Sequence, residues 1–119
     1  MKTAEITIDG TKYLAVFNNA VLTQLEDNGL SLRDLKEKKP VSNIALMMSL
    51  MIQQGAKYAE YKGLGAYPTI NAEQFAFLTD YGDFADYQQL IADLIAGDRR
   101  VDAEPEKKDE AAAEAALIN

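Results

Sequence analysis

The chain contains no cysteine, no histidine and no tryptophan. Without cysteine there is no disulfide, no thiolate metal site and no sulfur nucleophile. Without histidine, the commonest general base near neutral pH and the commonest zinc ligand are also missing. These absences remove the usual parts of most hydrolase and metalloenzyme mechanisms, so the sequence predicts a protein that is no enzyme and takes no cofactor. Long apolar runs are lacking as well. The longest, Ile44 to Ile52, is about half of the ~20 residues needed to cross a bilayer, which predicts no membrane partner. The opening MKTAEITIDG has no apolar stretch of the signal-peptide kind, so a cytoplasmic location is expected.

Positive charge is in short supply. The net charge is −7, with eight Lys/Arg against twelve Asp/Glu over residues 1–97 and four against seven over residues 98–119. An acidic surface repels phosphate backbones, and no nucleic-acid partner is expected.

What is present suits one modest core. A chain of 119 residues, 48% hydrophobic and 26% charged, has the size and make-up of a single globular domain. Ala4, Ile6 and Ile8 alternate with polar residues, the period of a strand with one buried face. Asp9-Gly10 follows, a dipeptide suited to a two-residue type I′ turn because both positions need positive φ. That turn sets Ile8 opposite Thr11, Ile6 opposite Tyr13 and Ala4 opposite Ala15, and Phe17 continues the apolar surface.

The pattern then becomes helical. Asn18 or Asn19 can cap a helix carrying Val21, Leu22 and Leu25, which Asn28-Gly29 ends. SLRDLKEKK, 31–39, reads as a short helix capped by Ser31 and ended by Pro40. Ser42 or Asn43 is placed to cap a third helix running to Lys62. The first half of that helix, IALMMSLMI, is apolar nearly all round, so it is either central to the core or shared with a partner. Gly55 permits close approach of another element. Asn71 and Gln74 form a capping-box pair ahead of Phe75, Phe77 and Leu78, and Asp83 is placed to cap a last helix that Gly97 ends.

The expected architecture is α+β: an N-terminal β-hairpin packed on four to five helices over residues 1–97, then a flexible, charged, Ala-rich tail over residues 98–119.

Asp80, Asp83 and Asp86 raise the question of a cation site, but their spacing lacks the alternate ligands, glycine and terminal glutamate of an EF-hand. Helix capping and the positive helix end account for the same residues. Met47, Met48 and Met51 are compatible with core filling or with an adaptable binding groove. Eight of the ten aromatics lie between Tyr58 and Tyr87, and residues 71–97 hold five Asp/Glu and no Lys/Arg. Aromatics beside a polar surface are typical interface anchors, although they can equally close a small core. The candidate partner-binding residues are therefore Met47, Met48, Met51, Tyr58, Tyr61, Phe77, Tyr81, Phe84 and Tyr87. Self-association would use the same kind of surface.

ITIDGTKYLAVF, then Leu25-Glu26 and the step Gly29-Leu30-Ser31-Leu32, then ALMMSLMIQQG and NAEQF, together resemble the tail assembly chaperones of long-tailed bacteriophages and related prophages. The resemblance covers residues 4–97. It implies a non-enzymatic protein of the bacterial cytoplasm that binds the tape measure protein and the tail tube subunit while a tail is built, and a family in which a longer, frameshifted form is common. A small structural or adaptor protein, such as a virion component or toxin-neutralising partner, is the competing expectation.

Overall fold

The computed structural model describes residues 1–99, with the side chains of Lys36, Asp98 and Arg99 excepted; the expected tail falls almost entirely outside the described residues. Strands β1 (Thr3–Ile8) and β2 (Thr11–Val16) form an antiparallel hairpin. Helices α1 (Asn19–Asp27), α2 (Asp34–Glu37), α3 (Pro40–Lys62), α4 (Ala72–Leu78) and α5 (Phe84–Arg99) follow, α2 being a single turn. The fold is α+β, as expected.

The hairpin has the register that its turn dictates, with Ile8 opposite Thr11, Ile6 opposite Tyr13 and Ala4 opposite Ala15. Asp9 and Gly10 both have positive φ, 49° and 81°, as a type I′ turn requires. Valine at position 10 would carry a β-branched side chain in the left-handed region, at a cost of roughly 1–2 kcal/mol. Gly10→Val is expected to lower the thermal midpoint by about 5–15 °C; an unchanged midpoint would refute the turn assignment.

β2 departs from a one-faced strand. Tyr13 through Phe17 are all buried, because the strand is covered on both sides. In a two-residue hairpin the pair flanking the turn exchanges hydrogen bonds and every second pair does not. Leu14, opposite Glu5, belongs to a non-bonded pair, so its carbonyl points away from β1. There it meets α3 at Gly55, where a Cβ would lie 1.9 Å from the Leu14 oxygen. The helix thus lies against the free edge of β2, protecting an edge that would otherwise be open to pairing.

α3 is the centre of the molecule, packing against β2, α1, α2, α4 and α5. That explains a helix apolar nearly all round. Asn18 caps α1 by accepting from the Val21 N–H (3.1 Å), and its amide also donates to buried Gln54 of α3 (3.4 Å). One side chain therefore fixes both the start of α1 and its place on α3. At the other end Gly29 N–H donates to Glu26 (2.8 Å) and Leu30 N–H to Leu25 (2.9 Å), the paired bonds of a Schellman close.

Three helices differ from the sequence expectation at their ends. Pro40 opens α3 instead of only closing α2: at the first helical position its locked φ suits the helix and its missing N–H costs nothing. Asn43 consequently sits inside α3, where its buried amide donates back to the carbonyls of Asp34 and Lys38 and ties α2 to α3. The short helix does not run from Ser31. Instead the Ser31 N–H (2.9 Å) and hydroxyl (3.2 Å) donate to Asp34, holding that carboxyl below its usual range, and only one turn follows. Finally, α5 is entered through a 3-10 turn, Tyr81–Asp83, and continues past Gly97. The missing side chain at Gly97 leaves room for the aliphatic stem of Lys2, whose Cδ would lie 2.4 Å from a Cβ there.

A candidate partner cleft between α3 and the α4–α5 pair

Eight of the nine candidate residues fall into three places, and Phe77 stands apart from them. Met47, Met48 and Met51 are fully buried in the core cluster; none of them presents a surface, so of the two expectations, core filling and an adaptable groove, they meet the first. Their unbranched, polarizable side chains fill space where several elements meet on one helix. Tyr58 and Tyr61 lie on the last turns of α3, with the Lys62 ammonium 6.0 and 5.8 Å from their ring centres. Neither lines the open groove formed on the same helix by Gln53, Lys57, Glu60 and the loop after α3. That loop is tied back to the hairpin by the Tyr67 hydroxyl, which donates to Glu5 (2.8 Å). Accepting that bond, the Glu5 carboxylate holds Tyr67 above the usual phenol range.

The third place is a cleft of about 220 Å³ between the first turns of α3 and the α4–α5 pair. It brings together Tyr81, Phe84 and Tyr87 with Val41, Ile44, Ala45 and Phe75. α4 is positioned by the expected capping box: Asn71 accepts from the Gln74 N–H (2.7 Å), and Gln74 accepts from the Asn71 N–H (3.1 Å). That start points Phe75 inward, where its ring meets Tyr87 edge to face at 4.9 Å. The 3-10 turn then sets Tyr81 parallel to Phe84, centroids 5.8 Å apart and planes at 18°. Burial, followed by the charges of Asp83 and Asp86, pushes the Tyr87 hydroxyl up from its ordinary value.

Exposure sorts these aromatics further. Tyr61, Phe77 and Tyr81 are 83%, 86% and 81% exposed, unusual for large apolar rings on three separate turns. Phe77 stands on the outer side of α4 and does not line the cleft. Val41, 50% exposed, also lines the cleft; sequence reasoning did not single it out, because only the helix start at Pro40 makes it part of a wall. Among the described residues no three Asp or Glu side chains gather closely enough to hold a metal, so Asp80, Asp83 and Asp86 remain separate surface charges. Also among them, no helix is long and apolar enough to cross a membrane. The arrangement can bury apolar side chains of another molecule beside negative charge.

No family model, no curated protein and no solved structure matches this chain.

Proposed function

We propose that this chain is a tail assembly chaperone of a long-tailed phage or prophage, a non-enzymatic protein acting in the cytoplasm of the bacterial host. In this reading it binds the tape measure protein and the tail tube subunit during assembly. The observation that carries the proposal is the solvent-exposed aromatic surface of α4 and the 3-10 turn, Phe77 and Tyr81, beside an open apolar cleft. A protein that keeps long apolar helices soluble needs exposed aromatic anchors next to an apolar cleft, and these rings are available for that contact. The order hairpin, short helices, apolar central helix and capped acidic segment accords with the resemblance carried by ITIDGTKYLAVF and NAEQF.

Co-expression with a tape measure protein encoded in the same operon, where the reading requires one, tests it. A soluble complex that co-purifies is the expected result. An insoluble tape measure protein with the chain left unbound would refute it, and recovery of the chain in purified particles would favour a structural virion protein instead.

A further inference from the structure

The cleft between α3 and the α4–α5 pair is apolar within and acidic at its lip, and we propose that it docks a partner helix whose apolar stripe is bordered by lysine or arginine. The inference rests on the chaperone reading only for the source of that helix, a client protein.

Size decides what kind of ligand enters. At about 220 Å³ the cleft is smaller than the roughly 300–1,000 Å³ of small-molecule sites, so it takes one or two anchoring side chains rather than a whole metabolite. Buried Ile44, Ala45 and Phe75 form its base, and Tyr81 at its mouth offers an exposed ring. The backbone of the ligand is constrained as well. The walls are side chains of helices and of a 3-10 turn, with no strand edge to pair an extended peptide. A helix needs no such edge, because it satisfies its own N–H and C=O groups, and it presents anchoring side chains at i and i+3 or i+4 to a groove between helices.

Charge decides the border of that helix. None of the lining residues is basic, and Asp80 is one of them. Asp83 and Asp86 are exposed on the same turn and helix that carry Tyr81, Phe84 and Tyr87, and add to the negative charge beside the cleft. A lysine or arginine at the edge of the docked stripe meets these carboxylates and the face of the Tyr81 ring, itself stacked on Phe84. A second copy of this chain is the poorer occupant, because at a net charge of −7 it carries the same sign.

Two synthetic helices of about 18 residues, long enough to hold a helix, test the inference by fluorescence anisotropy. Both carry the same leucine stripe, one bordered by lysine and the other by glutamate. The lysine-bordered peptide should bind at least about tenfold more tightly and weaken as salt rises. Asp80→Asn with Asp83→Asn should erase most of that preference, and Tyr81→Ser should weaken binding about tenfold. All three side chains are exposed, so thermal midpoints should stay in place. Equal binding of the two peptides, or binding indifferent to Tyr81→Ser, overturns the inference. So does a concentration-dependent dimer that Tyr81→Ser abolishes, which gives the cleft to a second copy. Peptide binding in the cleft without tape measure association leaves the inference standing and sinks the chaperone reading. Tape measure association untouched by Tyr81→Ser does the reverse.

Discussion

Gly55→Ala is expected to lower the thermal midpoint by roughly 10–20 °C or to prevent folding, the largest effect of any single methyl group in this protein. Two effects oppose each other at this position. Alanine favours a helix over glycine by about 1 kcal/mol, which on its own would stabilise α3. Against it, the new Cβ would lie 1.9 Å from the Leu14 carbonyl oxygen and 2.5 Å from its carbon. That neighbour is backbone, held in the hairpin register, and cannot turn aside as a side chain does. Relief requires lifting β2 from the helix, which uncovers Leu14, Ala15 and Val16. Overpacking costs typically about 1–3 kcal/mol and more where backbone must move, so the clash wins. A thermal melt of Gly55→Ala beside wild type decides it, and an equal or higher midpoint would mean that β2 does not rest on α3 there.

Met51→Ala is expected to cost about 2–5 kcal/mol, read as a fall in the denaturant midpoint with little change in slope. Met51 is fully buried in the cluster where α3 meets the hairpin and α5, and truncation leaves a cavity that its neighbours cannot fill completely. Met51→Leu, which keeps volume, should cost less than about 1.5 kcal/mol. The pair of variants separates the two roles that clustered methionines suggest. If Met51→Ala kept full stability and lost client binding, the methionine surface expected from sequence would be restored.

The parts of the fold legible in the sequence are those set by short-range chemistry. Asp9-Gly10 fixed a turn type, the turn fixed a register, and Asn71 with Gln74 fixed a helix start. Pro40 was ambiguous because one residue can follow a helix or open the next. Once it opens α3, Asn43 is drawn inward to bond the carbonyls behind it. The two-faced burial of β2 had a visible signal, the unbroken apolar run Tyr13 to Phe17, which outweighs the alternation of β1.

The candidate site was legible by residue type and illegible by exposure. Aromatic and methionine side chains attract attention wherever they stand. Which of them reach solvent depends on how α3 is surrounded, and that is settled by elements far away in the chain. Met47, Met48 and Met51 vanish into the core because five elements converge on their helix. Tyr81 emerges because the 3-10 turn swings it out over Phe84.

The contact between Gly55 and Leu14 also divides the amides of a single strand into two clocks. The amides of Tyr13 and Ala15 lie on the β1 side of β2, in the bonded pairs, so their hydrogen exchange is gated by parting of the hairpin. The amide of Leu14 shares its carbonyl's direction, toward α3. Its exchange is gated by departure of the helix, which can occur while the hairpin stays closed. Neighbouring residues in β2 thereby report separately on a local ribbon and on the long-range docking that completes the fold.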